Sequence, residues 1–335
     1  MNERKIAEKN KILELVSGSF LYGTNTETSD KDYYGVFMPD IEYVLGFRKC
    51  EEVDFSVISK DEDDKNTIDA VDRKFYEFRK FMKLSMENNP NIIEILFVNS
   101  KNTLFVNDIG KELLKIKHKF PHKGAKQKFL GYAFSQKHKM VIKKDHYFDL
   151  ISALDYIQRF DDGKTILEVV LESNFPKFFS RNYDSQHNVN FIEIGDLNIT
   201  ASHSIRTVKA MLQDRIDKVG NREELLLKYG FDTKFASHLI RLMLEGIELL
   251  ETGEIKFPLR ERQLILDVKL GKWTINKILD FSNDLEKKIE ELGNISTLPD
   301  KPNVEELEKF TINTLEKYLF PASFYEYDKE HPLKK

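Results

Sequence analysis

Short apolar runs of strand length fill the first part of the chain, and helical spacing takes over after about residue 75. Ile12, Leu13, Leu15 and Val16 form a run that stops at small residues, as a buried strand does where it meets a turn. Tyr33, Tyr34, Val36 and Phe37 are β-formers closed off by Pro39. Together they predict strand, tight turn, strand over residues 12–37. Residues 52–59 alternate well enough to be a further strand. The acid-rich loop 60–66 reads as solvated, and residues 67–76 read as an antiparallel partner that runs into a helix. In that helix Phe75, Phe78, Met82 and Ser85 recur at helical spacing, with Phe81 and Leu84 widening the face. Such an aromatic stripe is core. Asn88-Asn89-Pro90 ends it, because the residue before proline avoids helical geometry. Residues 92–97 form another buried segment, and Glu94 inside it reads as solvent-facing or paired with a lysine in preference to a direct catalytic role.

Further along, residues 147–160 are helix-like, 167–171 form a short apolar helix, and 178–199 read as strands around 184–188. No metal-ligand spacing occurs there. A second informative helix spans about residues 233–251 and is closed by Gly253 and then Pro258. It is apolar nearly all round, except for Lys234, His238, Arg241 and Glu245. These recur at spacings of four, three and four, one narrow stripe that either faces a cleft or exposes a thin edge. His238 reads as a hydrogen-bonded structural residue. After a run at 264–270 come a charged helix to about residue 292, a linker at 298–302 and a last amphipathic helix at 303–319.

Composition sharpens this picture in three ways. With 335 residues and 41% hydrophobic content the chain can bury a real core in one large or two ordinary domains. A net charge of −4 gives no global pull toward nucleic acid or anionic membrane, so any such binding has to be local. Cys50 is the only cysteine, which excludes an internal disulfide and cysteine-rich metal sites and fits a reducing, cytoplasmic compartment. The charged start is followed by an apolar run too short for a signal peptide, and no window approaches a membrane span. One local shift stands out, since residues 115–144 carry ten lysines, three histidines and no acid. Phe120, Phe129, Tyr132 and Phe134 are interleaved with those charges. The segment either lays a phosphate backbone on lysines with bases stacked on rings, or forms amphipathic helices with solvated lysines.

The candidate chemistry lies at the first turn. Side chains alternate along a strand, so Asp30 and Asp32 project from one side, two hard oxygen ligands suited to magnesium. At Gly18-Ser19 the missing Cβ lets backbone N–H groups and a hydroxyl approach a phosphate closely.

Gly-Ser, a spacer of about ten residues and Asp-x-Asp on a strand resemble the signature of the DNA polymerase beta-like nucleotidyltransferase superfamily. The longer wording GSFLYGTNTETSDKDYYGVFMP is similar to its subgroup from bacteria and phages associated with RNA ligases. The resemblance implies that Gly18 and Ser19 contact the triphosphate and that Asp30 and Asp32 hold two magnesium ions. Two-metal phosphoryl chemistry wants a further carboxylate. The family's wording around Tyr76-Glu77-Phe78-Arg79-Lys80-Phe81, Asn89-Pro90 and Glu94-Ile95-Leu96 places it at Asp72, with Asp69 in reserve and Asp54 behind. The phrases at 131–136, 234–241 and 252–254 also resemble the family. Lys234 and Arg241 are its candidate phosphate contacts, Arg241 being suited to bidentate binding.

The expectation is therefore an α/β, strictly α+β, catalytic domain over residues 1–110 with a mixed sheet. A mainly helical domain over 111–335 follows, carrying a β-containing insertion around 175–200, and the site lies in the groove between them. The implied reaction moves a nucleoside monophosphate from a nucleoside triphosphate to a hydroxyl, with an RNA end as acceptor through the 115–144 segment. A protein or small-molecule hydroxyl stays open as acceptor. So does a non-catalytic nucleotide- or RNA-binding protein on the same fold.

Overall fold

The computed structural model describes residues 3–57, 70–172, 176–184, 189–217 and 228–321. The acid-rich loop 60–66, Asp69 and residues 185–188 lie outside them. The chain divides into two compact units, one formed by residues 1–134 with 237–335 and the other by residues 135–236. A boundary at residue 110 does not match this division, because the C-terminal helices close the first unit. Within that unit Leu259 N donates to Tyr22 O (3.1 Å), Lys123 N to Pro299 O (2.9 Å) and Asn99 Nδ2 to Phe257 O (2.9 Å).

The first unit begins with α1 (Glu3–Lys9), β1 (Lys11–Ser17), α2 (Gly18–Tyr22) and β2 (Lys31–Phe37). Its middle part holds α3 (Ile41–Val44), β3 (Glu52–Asp54), β4 (Val71–Glu77), α4 (Phe78–Met86), α5 (Pro90–Ile93) and a 3-10 turn at Glu94–Phe97. Then follow β5 (Thr103–Val106), α6 (Asp108–Lys115) and the start of α7 (Ala125–Ile157). The five strands form a mixed sheet in the order β3-β4-β2-β1-β5. β1 pairs antiparallel with β2 and β5, whereas β2 and β4 run parallel over seven residue pairs, from Lys31↔Val71 to Phe37↔Glu77. β1 is an interior strand, flanked by β2 and β5, and Ile12, Leu13 and Leu15 are almost wholly buried. Gly35 is required at the middle of β2 because the ring of Phe75 lies across it, 2.5 Å from where a Cβ would stand.

The expected tight turn after β1 is one turn of helix. Gly18 at φ +61° lets the backbone double back into α2, and Gly23 at φ +74° ends it in the left-handed conformation, with its N–H on Ser19 O. β3 is shorter than the 52–59 run, although Val57 still bridges Val71. α4 is fixed at its start by the buried carboxylate of Glu77, which accepts from Arg79 N and Lys80 N.

The second unit has its own core. The part of α7 from residue 135 onward, α8 (Ile166–Glu172), a three-stranded antiparallel sheet and α9 (Ile205–Asp217) enclose Ile157, Val169, Ile192, Ile199, Val208 and Leu212. The sheet, β6 (Ser180–Asp184), β7 (Val189–Ile194) and β8 (Leu197–Thr200), stands where strands were read at 178–199. α10 (Thr233–Thr252) starts in this unit and continues in the first, which ends with α11 (Arg262–Lys269), α12 (Ile275–Ile295) and α13 (Val304–Leu319). No helix of the described residues is long and apolar enough to cross a membrane.

Candidate active site

The site is set by the parallel ladder between β2 and β4, which puts Asp32 level with Asp72 and Tyr34 level with Lys74. Partners in a parallel ladder point to the same face, and neighbouring strands lie about 4.8 Å apart. The two carboxylates therefore stand side by side although 40 positions separate them in sequence. On the other side of β2, Ser17 is the register partner of Asp32. Asp30 precedes β2 by one residue and is half-buried. The turn ahead of it is tied by Thr26 N to Ser29 Oγ (2.9 Å) and Ser29 N to Thr26 O (3.1 Å).

Gly18 closes directly onto this pair. A Cβ built on it would lie 2.7 Å from Asp32 Cγ and closer still to Oδ2. Glycine is thus required twice, by its positive φ and by the carboxylate beside it. Ser19 follows, half-buried, and its hydroxyl makes no hydrogen bond among the described residues. Asp72 is exposed and accepts from Ser56 Oγ at 2.9 Å, while Ser56 Oγ also accepts from Arg73 N at 3.2 Å. Asp54, on the edge strand, is opposite Lys74, and hydrogen bonds from Ser56 hold its carboxyl below the usual range. The rings of Tyr34 and Tyr76 meet edge to face at 5.9 Å beside the acids. Burial raises the Tyr34 phenol, with the charges of Glu94, Asp32 and Asp72 pushing the same way, and burial pushes Tyr76 up to about 12. Both therefore present neutral O–H donors at ordinary pH.

Among the described residues no three His, Cys, Asp or Glu side chains stand close enough together to hold a metal ion. Asp30, Asp32 and Asp72 are thus brought to one end of the sheet without their oxygens converging on a common point. A pair of exposed-to-half-buried carboxylates still fits magnesium, which keeps several waters and takes one or two carboxylates together with substrate phosphates.

Arg241 does not serve as the expected phosphate contact. It is buried at 5% exposure, and its Nη1 donates to Glu245 Oε2 (2.8 Å), Glu245 Oε1 (3.0 Å) and Glu94 Oε2 (3.4 Å). The polar stripe on α10 faces inward at this end, so its cation neutralises internal carboxylates. Lys234 is exposed near the start of α10 and belongs to the second unit.

Glu94 likewise departs from its solvent-facing expectation, with 1% exposure. Tyr22 Oη stands 3.0 Å from each of its carboxylate oxygens, Ser17 also hydrogen-bonds it, and the Arg241 guanidinium lies 4.3 Å from the Tyr22 ring centroid. Ser17 and Tyr22 flank α2, so a single buried carboxylate ties down both ends of the segment carrying Gly18 and Ser19. Burial pushes the Glu94 carboxyl up to about 8, with Arg241 opposing and Glu245 reinforcing the shift; burial raises Glu245 as well. One guanidinium neutralises one of two buried carboxylates, and a proton is the cheapest companion for the other. The signals available in sequence were the isolated Glu94 in an apolar run and the Arg241/Glu245 spacing of four.

Two cations in α11 were passed over entirely. Lys269 Nζ donates to Thr24 O (3.2 Å), and the Arg262 side chain packs against Gly23, both at the loop that follows α2.

In the 115–144 segment, six of the ten lysines are matched to acids. Lys115 meets Glu112, Lys117 meets Glu254, Lys119 meets Glu306, Lys123 meets Asp300, Lys126 meets Glu290 and Lys128 meets Glu87. Phe120 and Phe129 are core residues with no exposure, and Tyr132 Oη accepts from Asn89 Nδ2 at 2.8 Å. The first half of the segment is therefore amphipathic structure whose charge is largely cancelled.

Residues 3–160 match the model of a family described as the RNA repair pathway DNA polymerase beta family. An uncharacterised 38.9 kDa protein from the nrdC-mobD intergenic region of Enterobacteria phage T4 is 25% identical over 299 residues, 83% of this chain and 88% of its own length. A crystal structure of a nucleotidyltransferase-like protein from Exiguobacterium sibiricum 255-15 aligns over 98% of this chain and 79% of its own, at 9% identity and a TM-score of 0.24.

Proposed function

Given a chain whose residues 3–160 match the model of the RNA repair pathway DNA polymerase beta family, we propose that it transfers a nucleoside monophosphate from a nucleoside triphosphate to a hydroxyl at an RNA end. The observation that carries this reading is the level placement of Asp32 and Asp72 on adjacent parallel strands, against a glycine that admits no Cβ. Gly18 and Ser19 grip the β,γ-phosphates through backbone N–H groups and the serine hydroxyl, which is free to donate. Asp30, Asp32 and Asp72 would hold two magnesium ions, whose charge would neutralise the triphosphate and ease loss of the acceptor proton. Asp72 is the most exposed of the three, and Ser56 fixes its carboxylate from one side. It faces the acceptor oxygen and takes its proton, which favours the alkoxide form. The new bond joins that oxygen to the α-phosphorus, the α–β phosphoanhydride bond breaks, and pyrophosphate leaves with the electron pair. Tyr34 and Tyr76 supply neutral donors and an apolar wall, and Glu94 holds α2 in place through Ser17 and Tyr22.

The test is to incubate the full chain with each α-labelled nucleoside triphosphate, magnesium and total cellular RNA, protein or small molecules, and to ask which fraction takes up label. RNA labelling that disappears in the Asp30→Ala/Asp32→Ala double variant, with folding intact, is the expected result. Transfer retained by that variant ends the proposal. Label in protein or small molecules moves the acceptor, and nucleotide binding without pyrophosphate release identifies a non-catalytic binding protein.

A further inference from the structure

At the other end of the same two strands lies a feature that nucleotidyl transfer does not use. β2 and β4 each run five residues beyond Asp32 and Asp72, to Phe37 and Glu77, about 17 Å at strand rise. Beyond those ends, the loop after α3 and the first turns of α4 line an open cavity of about 510 Å³, within the range of small-ligand sites. Five cations line it, Arg48, Lys49, Arg79, Lys80 and Lys83, against two carboxylates. Lys80 pairs with Glu51 (2.7 Å) and Arg79 with Glu77 (3.0 Å), so both acids are already matched. Arg48, Lys49 and Lys83 make no ion pair among the described residues, although Lys49 and Lys83 lie within electrostatic reach of Glu51, so the cavity keeps an excess of three cations over its two acids. The rim carries Phe47, fully exposed and without a ring partner among the described residues, next to Leu45 at 71% exposure.

An unmatched cation cluster asks for an anion, and an exposed ring beside it asks for a flat apolar face. A phosphate and a base joined in one ligand meet both demands, whereas an acidic peptide meets only the first. We propose that this cavity binds single-stranded nucleic acid, with phosphates on Arg48, Lys49 and Lys83 and a base stacked on Phe47. The site is separate from the acids and goes beyond the transfer reaction proposed for them.

Fluorescence anisotropy with short labelled single-stranded RNA and DNA, titrated against the full chain at several salt concentrations, tests it. Phe47→Ala is expected to weaken binding roughly 5- to 150-fold, the loss of one stacked base. It should leave competition by inorganic polyphosphate unchanged. The Arg48→Ala/Lys49→Ala/Lys83→Ala variant is expected to lower the log–log salt slope by about two, three phosphate contacts on a single strand. All four side chains are at the surface of the cavity, so circular dichroism should show an unchanged fold. RNA and DNA bound alike, or RNA preferred, both support the site and distinguish its source. Wild-type affinity in both variants, a loss in the triple variant alone, or equal competition by polyglutamate overturns it. Asp30→Ala/Asp32→Ala is expected to bind as wild type, so a failed transfer reaction leaves this result standing.

Discussion

Gly18 and Asp32 occupy ground that admits only one side chain: the carboxylate sits where a Cβ on residue 18 would be. The glycine of the Gly-Ser pair is thus as much a part of the acid's setting as of any phosphate grip. Gly18→Ala is expected to push Asp32 out of line with Asp72 and to lower transfer on the order of a hundredfold, as a misplacement of about an ångström does. The left-handed φ adds about 1–2 kcal/mol of destabilisation. Ser19→Ala, which leaves φ and packing alone, should retain stability and raise KM for the triphosphate. A Gly18→Ala protein with full activity contradicts this account.

Asp72 carries a prediction of the opposite kind. It is exposed and, among the described residues, bonded only through Ser56, so Asp72→Asn should leave the melting temperature within about one degree while turnover falls steeply; a surface change away from packing moves stability by less than about 0.5 kcal/mol. Ser56→Ala is expected to lose far less activity than Asp72→Asn, because it orients the carboxylate without bearing the charge. Equal losses in the two variants would point to a structural role for Asp72.

The Tyr22–Glu94–Arg241–Glu245 cluster makes stability depend on pH in a definite direction. Glu94 is raised from 4.5 to about 8 in the folded chain. The folded state therefore holds a proton that the unfolded chain has lost. That contribution is complete below about pH 4.5 and disappears as pH climbs through 8, at no more than about 1.4 kcal/mol per pH unit. Urea unfolding across this window should show falling stability in the wild type and a flatter profile in Glu94→Gln. Parallel profiles would mean that Glu94 is not the group that titrates.

Arg241 is expected to be structural. Arg241→Met removes the cation that neutralises the one ionised carboxylate of the buried Glu94/Glu245 pair and should destabilise by about 3–5 kcal/mol. Adding Glu94→Gln and Glu245→Gln should recover most of that loss, since the need for a cation then disappears. If Arg241→Met instead folds normally and only weakens nucleotide binding, the phosphate-contact reading returns.

Much of the sheet was legible in the chain. Ile12 to Val16 and Tyr33 to Phe37 announce two strands because each is a short run of apolar or β-forming residues that ends at small residues or proline. Asp30 and Asp32 were readable as a pair because strand alternation is local. What joins Asp32 to Asp72 is a parallel ladder closed over a long excursion, and no local pattern encodes such a register. The family wording rather than periodicity pointed to Asp72. Arg241 and the lysines of residues 115–128 share one limit: a charge in sequence shows its sign but not its partner. Their acids lie at Glu87, Glu94, Glu112, Glu245, Glu254, Glu290, Asp300 and Glu306, and all but Glu112 and Glu245 are far away in the chain.

That explanation gives a further expectation. Lys126→Ala and Lys128→Ala should each change stability by less than about 1 kcal/mol, as partly exposed pairs do. Phe129→Ala, at a fully buried position, should cost about 3–5 kcal/mol. RNA affinity insensitive to both lysine changes fits a matched, structural segment; a sharp drop would identify it as a landing strip for a backbone.

The seven-pair ladder between β2 and β4 also makes the acid pair an all-or-nothing object. Sliding β4 by one position would turn Asp72 away and set either Val71 or Arg73 beside Asp32, replacing two like charges with a greasy or an opposite neighbour. Insertions and deletions are thus tolerable only in the excursion before the ladder begins. A single one inside Val71–Glu77 would exchange the acidic edge for one of those two neighbours, with no intermediate arrangement in between.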